Sequence, residues 1–297
     1  RYAWQTDNRL TLPMSGTGSA AMEATLANTI EPGDTVLVAV KRYFGLRLAD
    51  MAGRYRADVR TIEKPWGEWF SLDDLEAALI EHKPAILAMV HAETSTGVCQ
   101  PMAGVGDLCR KHDCLLLLDT VTSLGGVPLA IDEWKVDLAY SCSQKGLSCP
   151  PGLGPFTMGP RAEEKMSTRK DKVPNWYLDV SLLNQYWGSD RVYHHTAPVN
   201  MNFGMREALR LLADEGLDNA WARHRRNAEA LWSGLEGLGL SMLVPEEHRL
   251  PTLTTVRIPD GVDGKAFSQH LLNNHGIEVG GGLGSLAGKI WRIGLMG

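Results

Sequence analysis

Apolar runs and amphipathic segments alternate along the first two-thirds of the chain. Three of the runs are almost continuously apolar, as strands buried on both faces are: DTVLVAV, AILAMVHAE and CLLLLDT. Three of the segments between them have the helical period: SAAMEATLANTI, FGLRLADMAGRY and SLDDLEAALIEH, the last with a serine as a favoured N-cap. This order predicts a mainly parallel sheet with helices on both faces. Ligands of such sheets bind beyond the carboxyl ends of the strands.

The pattern changes in the last third of the chain. We expect the aromatic-rich segment at 172–200 to be irregular, because it shows no clear period. A long helical pattern follows over 202–239, with a break near Gly216. Short strand-like and helical patterns then alternate and predict a small α+β unit. We therefore predict two domains: a large one over 1–215 and a small C-terminal one over 216–297.

Composition excludes several classes of protein. The 297 residues are 44% hydrophobic and 22% charged with a net charge of −5, as in an ordinary globular protein and unlike a basic nucleic-acid binder. No apolar run has the length of a membrane span. The cysteines are odd in number, so we expect free thiols in a reducing intracellular compartment: the cytoplasm, or alternatively a peroxisome or mitochondrion.

Metal binding is not expected. The adjacent residues His194 and His195 would point apart on a strand, and no Cys/His cluster has zinc spacing. The chain starts at Arg1 without a methionine and stops after a strand-like pattern, so we expect it to be truncated at both ends.

Two charged side chains follow buried strands. Lys145 comes after the apolar run Val136–Tyr140, and a Cys-Pro-Pro-Gly turn then prevents a long helix. It is either a lysine that reaches the surface or a catalytic amine. Asp119 ends the run CLLLLDT, where an aspartate is either a helix N-cap or an acceptor for a cationic ligand.

A glycine-rich turn lies between the first strand and the first helix. In SGTGS, residues 15–19, free backbone N–H groups at a helix start attract anions, and the hydroxyls add donors. This candidate phosphate site, the carboxylate Asp119 and the amine Lys145 then lie at the strand ends of one sheet. Pyridoxal phosphate needs all three, because a lysine holds its aldehyde, a carboxylate its pyridine nitrogen and a helix start its phosphate.

Arg292 lies inside an apolar strand pattern near the end of the chain. Its planar guanidinium suits a substrate carboxylate, and the alternative is an internal ion pair with a residue such as Glu278.

Several blocks in a fixed order make the chain similar to a known family. They include LLLLDTVTSLGGVPL, YSCSQKGLSCPPG, YHHTAPV and LPTLTTV. With them the chain resembles the class V aminotransferases over essentially its whole length, and most closely the alanine–glyoxylate (serine–pyruvate) group. The resemblance implies a fold-type-I pyridoxal-phosphate transferase with a seven-stranded sheet. It also implies transamination between alanine or serine and glyoxylate or pyruvate, by a ping-pong reaction through a lysine aldimine.

The resemblance also assigns roles to individual residues. It implies that Lys145 forms the Schiff base and moves the proton, and that Asp119 is the partner of the pyridine nitrogen. Val121 packs on one face of the ring, Phe44 stands where many relatives have a stacked tryptophan, and Thr94 lies near the ring hydroxyl. Four residues are implied to bind the phosphate: Thr17, Gly18, Ser19 and Gln144. Some relatives have histidine at the position of Ser19.

Three further residues are assigned by the resemblance. Arg292 is implied to bind the substrate α-carboxylate. Tyr193 and Thr196 are implied to reach the phosphate of a neighbouring subunit, so that the site is complete only in a homodimer.

Two other functions remain open at this point. A desulfurase or lyase on the same scaffold would use a mobile cysteine of low pKa, and Cys142 and Cys149 flank Lys145. A chain that lacks its ends could instead bind the cofactor without catalysis. A structural module would not bind it at all.

Overall fold

The structure, a computed structural model, describes residues 1–297. Its strands are, in chain order, β1 (Leu10–Ser15), β2 (Thr35–Val40), β3 (Asp58–Glu63), β4 (Ile86–Val90), β5 (Ala92–Glu93), β6 (Val98–Cys99), β7 (Leu115–Asp119), β8 (Leu138–Tyr140), β9 (Leu153–Met158), β10 (Leu253–Arg257), β11 (Gly280–Gly281) and β12 (Ile290–Gly294). Its α-helices are α1 (Gly18–Thr29), α2 (Tyr43–Arg54), α3 (Leu72–His82), α4 (Val105–Lys111), α5 (Pro160–Ser167), α6 (Val180–Trp187), α7 (Val199–Glu215), α8 (Leu217–Gly237) and α9 (Gly264–His275). Short 3₁₀ helices lie at Tyr2–Trp4, Trp176–Leu178, Glu246–His248 and Gly284–Leu286.

Seven strands form the central sheet in the order β1-β9-β8-β7-β4-β2-β3. The pairs from β8 through β7, β4 and β2 to β3 are all parallel, whereas β9 is antiparallel to both of its neighbours. The predicted mainly parallel sheet is therefore confirmed. The apolar pattern does not predict β9, because its sequence LGPFTM contains a glycine and a proline, which are unfavourable inside strands.

Both faces of the central sheet are covered. Clusters of 28 and 26 buried residues lie on the two sides, so neither face is left to solvent. Along β7, Leu116 and Leu118 face one cluster and Leu115 and Leu117 the other, because successive side chains of a strand point to opposite faces. Helices α3, α4, α7 and α8 contribute to the first cluster, and α1, α2, α5 and α6 to the second. The predicted helices on both faces are confirmed.

The last part of the chain forms the predicted small α+β unit. Strands β10, β12 and β11 make an antiparallel sheet, and α9 covers the segment GKAFSQHLLNNH as predicted. The helical break is at Gly216, which has a φ of 84° between α7 and α8. The division into domains at this residue stays a prediction. No helix combines the length and apolarity needed to cross a bilayer.

Local capping confirms one helix start and reveals another. Helix α3 begins after the predicted N-cap, where Ser71 Oγ accepts a hydrogen bond from the Asp74 backbone N–H at 3.1 Å. The expectation that 172–200 is irregular is wrong in part, because α6 forms there. Its N-cap Asp179 accepts from the Ser181 backbone N–H at 2.9 Å. A single short helix of two turns carries too few buried positions for its period to be recognised.

Candidate active site

One edge of the central sheet carries the predicted cofactor residues. Strands β1, β2, β4, β7 and β8 all end at this edge, and the loops that follow them enclose a cavity of about 270 Å³. The predicted phosphate residues line it: Thr17, Gly18, Ser19 and Gln144. The predicted ring residues line it as well: Phe44, Thr94, Asp119, Val121 and Lys145. The structure therefore brings together residues that lie up to 128 positions apart, from Thr17 to Lys145 (145 − 17).

The glycine-rich turn leads directly into α1. Thr17 is the N-cap and Gly18 the first helical residue, so the first backbone N–H groups of α1 have no partner within the helix. A Cβ atom on Gly18 would lie 2.8 Å from the Cβ of Cys142 and 3.3 Å from the carbonyl oxygen of Ser141. Glycine is needed here because the start of α1 packs against the loop after β8. This contact holds the anion-binding end of α1 beside the loop that carries Lys145.

Asp119 lies on the floor of the cavity and is 2% exposed. It is paired in register with Tyr140 on the neighbouring strand, and Tyr140 Oη donates to Asp119 Oδ2 at 2.6 Å. The backbone N–H of Val121 donates to Asp119 Oδ1 at 2.8 Å. Burial raises the pKa of Asp119 to about 6, although both hydrogen bonds lower it. Asp119 forms no ion pair within the protein, although the charge of Arg47 also lowers its pKa, so its carboxylate can pair with a cationic ligand in the cavity.

Lys145 is held by a tightly bonded loop. The Ser143 hydroxyl donates to the carbonyl of Pro150 at 2.7 Å, and the Ser148 N–H donates to the carbonyl of Lys145 at 2.9 Å. A Cβ on Gly146 would lie 2.5 Å from the Leu124 carbonyl oxygen, so only glycine permits this approach. The loop thus fixes the backbone of Lys145, and its half-buried side chain lines the cavity.

The first turns of α2 form another wall of the cavity. Phe44 lines it as predicted, and Arg47 lines it three residues later. The Arg47 guanidinium lies over the Phe44 ring, 5.1 Å from its centroid. Residues three apart on a helix share a face, which explains why both side chains point to the same space.

Arg292 lies at the side of this cavity, on β12. Its Nε donates to the carbonyl of Gly281 at 2.7 Å, and its Nη1 makes a longer contact of 3.4 Å to the carbonyl of Thr94, which lines the cavity. No carboxylate lies within ion-pair distance of this guanidinium, so the alternative of an internal ion pair with Glu278 is wrong. Its charge remains available to an external carboxylate.

Tyr193 and Thr196 lie outside the cavity of their own chain. Their hydroxyls are 3.2 Å apart, and Tyr193 is 74% exposed. The expectation that His194 and His195 point apart is wrong: their Nδ1 atoms are 2.8 Å apart, because this segment is not a strand. His195 Nε2 also lies 2.6 Å from the hydroxyl of Ser15, which ties the segment to the end of β1.

The family follows from comparison with known proteins. The model of the aminotransferase class-V family matches residues 5–292. The chain belongs to the class V aminotransferase family. Enzymes of this family use pyridoxal phosphate. The predicted family and fold type are therefore confirmed.

Individual relatives of the aminotransferase are similar over its whole length. It is 45% identical over 301 residues to alanine–glyoxylate aminotransferase of Callithrix jacchus. The match covers 100% of this chain and 73% of that relative. It is 39% identical over 315 residues to (S)-ureidoglycine–glyoxylate transaminase of Bacillus subtilis (strain 168), over 100% and 76% of the two chains. The crystal structure of alanine–glyoxylate aminotransferase from Nostoc sp. is 68% identical with a TM-score of 0.99, and the match covers 100% of this chain and 79% of that one.

Sequence reasoning assigned no cofactor contact to several residues at the aminotransferase site. Tyr140 contacts Asp119, and Arg47 and Cys142 line the cavity. The spacing of Arg47 from Phe44 was the one available signal. Burial raises the pKa of Cys142 to about 11, so its thiol stays protonated at neutral pH. This is unfavourable for sulfur chemistry, which needs a thiolate. All the cysteines are free thiols, as expected.

Proposed function

We propose that this aminotransferase binds pyridoxal phosphate and transfers an amino group from alanine or serine to glyoxylate or pyruvate. One observation carries the proposal: a single cavity is lined by an amine, a buried carboxylate and the start of a helix. The choice of substrates is supported by the two relatives named as alanine–glyoxylate aminotransferases, which are 45% and 68% identical to the chain.

The residues of the cavity fit this cofactor. The start of α1 and the hydroxyls of Thr17 and Ser19 would hold the phosphate, and Gly18 allows α1 to pack closely on the loop after β8. Asp119 would meet the ring nitrogen, and Phe44 would pack against the ring. Each of these contacts uses a group that the fold already places at the cavity.

Asp119 sets the charge of the site. Bound pyridoxal phosphate supplies a cationic ring that takes up the electron pair left when the substrate Cα–H bond breaks. The Asp119 carboxylate holds a proton on the ring nitrogen, because an opposite charge within about 4–6 Å favours the charged form of both partners. Burial of Asp119 strengthens this pairing, since water does not compete for the carboxylate.

Lys145 moves the proton in the reaction. Its Nζ would hold the cofactor covalently between turnovers and become free when the substrate amine takes its place. The free Nζ would then be the base that takes the proton from the substrate Cα and the acid that returns it. The hydrogen bonds of the loop from Ser143 to Pro150 hold the backbone of Lys145 in place during this transfer.

Arg292 orients the substrate. Two of its guanidinium donors are directed at the carbonyl oxygens of Gly281 and Thr94, and the others remain for a carboxylate. A paired carboxylate at this place would fix the substrate Cα relative to Lys145. The contact with the Thr94 carbonyl keeps the Arg292 guanidinium next to a residue that lines the cavity.

The site is completed by a second subunit in this proposal. Tyr193 and Thr196 present adjacent hydroxyls on the surface, away from the cavity of their own chain. A residue that reaches a neighbouring subunit must be exposed on its own chain. A two-fold interface would then supply Tyr193 and Thr196 to both sites at once. We therefore include a homodimer with shared sites in the proposal.

The experiment is a substrate panel. The purified chain is loaded with pyridoxal phosphate, and the visible absorbance is followed after addition of each amino acid. We expect alanine and serine to change the spectrum, and alanine with glyoxylate to yield pyruvate, measured with lactate dehydrogenase. A spectrum that no amino acid changes would indicate a cofactor-binding chain without catalysis. A response to cysteine alone with release of sulfide would indicate a desulfurase. Failure to bind the cofactor would overturn the proposal.

A further inference from the structure

Arg47 is a cation of the cavity that the proposed mechanism does not use. It lies on α2 and lines the cavity together with Ser19 and Phe44. Its guanidinium carbon is 5.1 Å from the centroid of the Phe44 ring and 5.4 Å from that of Tyr43. Contacts of this type restrict a long side chain, so the charge of Arg47 stays at the wall of the cavity.

Arg47 has no carboxylate within ion-pair distance, although its charge lowers the pKa of Asp119 on the same cavity. Other arginines of α2 and its surroundings form ion pairs, such as Arg42 with Glu63 at 2.8 Å and Arg54 with Asp50 at 3.0 Å. The polar contact of Arg47 is a long one, from Nη1 to the Ser19 hydroxyl at 3.4 Å. A half-buried guanidinium without a carboxylate is available to an external anion.

The charges at the cavity leave one role open for this cation. A phosphate ester carries about 1.5 to 2 negative charges at neutral pH, and a helix start supplies only about half a positive charge. The other proposed phosphate contacts, Thr17, Ser19 and Gln144, are neutral. Arg47 and Lys145 are the cationic residues that line the cavity, and Lys145 is occupied by the cofactor aldehyde. Arg47 therefore remains as the fixed counter-charge of the phosphate.

We propose that Arg47 is a ligand of the cofactor phosphate, an inference that rests on the proposed function. Its contact with Ser19 places the guanidinium beside the end of α1 where the phosphate would bind. Guanidinium groups bind phosphate oxygens through two parallel hydrogen bonds, and the contact with the Phe44 ring holds the group at the wall of the cavity. The other possible ligand is a second carboxylate of a dicarboxylic substrate, and the test distinguishes the two.

The test compares ligands with and without a phosphate. Dissociation constants for pyridoxal 5′-phosphate and for pyridoxal are measured on the cofactor-free protein by quenching of tryptophan fluorescence. The variants are Arg47→Gln, Arg47→Lys, and Arg54→Gln as a control for loss of an arginine from the same helix. Loss of a hydrogen-bonded charge predicts that Arg47→Gln weakens binding of pyridoxal phosphate about 10- to 100-fold. Binding of pyridoxal should be unchanged, Arg47→Lys should be intermediate, and Arg54→Gln should match the unmodified protein.

Three results would overturn the inference. Equal weakening of both ligands would mean that Arg47 acts by packing on Phe44, and unchanged binding of pyridoxal phosphate would exclude a phosphate contact. If Arg47→Gln lost only turnover of aspartate or glutamate, the residue would be a substrate contact instead.

Inorganic phosphate separates this inference from the proposed function. It should raise the melting temperature of the cofactor-free protein and have less effect on Arg47→Gln, because a ligand stabilises the state that binds it. This result would support the anion site even if pyridoxal phosphate did not bind, which would overturn the proposed function alone. Equal stabilisation of both proteins by phosphate would count against Arg47.

Discussion

Replacement of Tyr140 by phenylalanine tests how the fold sets the charge of Asp119. The Tyr140 hydroxyl donates to Asp119 Oδ2 at 2.6 Å, and both residues are buried. The change removes this hydroxyl alone and keeps the ring, which packs in the buried cluster on one face of the central sheet. Asp119 then retains the hydrogen bond from the Val121 N–H as its remaining one.

The magnitude follows from the lost hydrogen bond. A hydrogen bond to a charged group contributes about 1.5–3 kcal/mol. One pKa unit corresponds to about 1.36 kcal/mol, so the loss raises the pKa of Asp119 by about one to two units. The pKa in the unmodified protein is about 6 because of burial. In Tyr140→Phe the carboxyl should therefore be largely protonated at neutral pH.

The assay is the affinity for pyridoxal phosphate as a function of pH. The ionised carboxylate is the form that pairs with a cationic ring, so affinity falls as the pH decreases through the pKa of Asp119. We expect this fall near pH 6 for the unmodified protein. The midpoint should lie about one to two units higher for Tyr140→Phe.

A matched control removes a half-buried tyrosine–carboxylate contact elsewhere in the protein. Tyr55 Oη donates to Glu23 Oε1 at 2.7 Å, and neither residue lines the cavity. Tyr55→Phe should leave the midpoint unchanged. The reasoning is refuted if Tyr140→Phe folds normally by circular dichroism and its midpoint stays with that of the unmodified protein.

Four further predictions concern the roles proposed for individual site residues. Borohydride reduction of the enzyme loaded with cofactor, followed by peptide mapping, should label Lys145, and a label on another lysine would contradict its role as the residue that holds the cofactor. Asp119→Asn should keep most of the cofactor but lose turnover by about a hundredfold or more, because a neutral amide cannot hold the ring proton; near-normal turnover in a folded variant would refute this role. Tyr193→Phe and Thr196→Ala should weaken cofactor retention without unfolding, and mixing Lys145→Ala chains with Thr196→Ala chains should restore part of the activity, since one hybrid site carries neither change. Arg292→Gln should raise the KM for alanine about tenfold or more through loss of a charged hydrogen bond, and an unchanged KM at equal cofactor content would argue against this role of Arg292.

Local sequence was sufficient for most of the fold. Continuous apolar runs such as LLLL at 115–118 can be satisfied only by burial on both sides, so they predicted the parallel strands and the helical layers. The N-cap Ser71 and the break at Gly216 depend on a few neighbouring residues and were equally visible. The short helix α6 was not, because two turns provide too little period.

The sequence also determined which residues end the strands that form the candidate site. Asp119 directly follows four leucines, and a parallel sheet places the carboxyl ends of its strands at one edge. The glycine-rich turn and Lys145 could be added to that edge because each also follows a predicted strand. The fold brings them to a common cavity, as expected for such a sheet.

Contacts between distant residues were decided only by the tertiary structure. Tyr140 reaches Asp119 because β8 pairs with β7 in a register that places the two residues side by side, and no local pattern specifies that register. Arg292 lacks a protein carboxylate because β12 sets it against the carbonyl oxygens of Gly281 and Thr94. The position of Arg47 beside Ser19 depends on how α1 and α2 pack against each other. Sequence periodicity reports which face of an element is buried, whereas packing and register determine which side chains meet there.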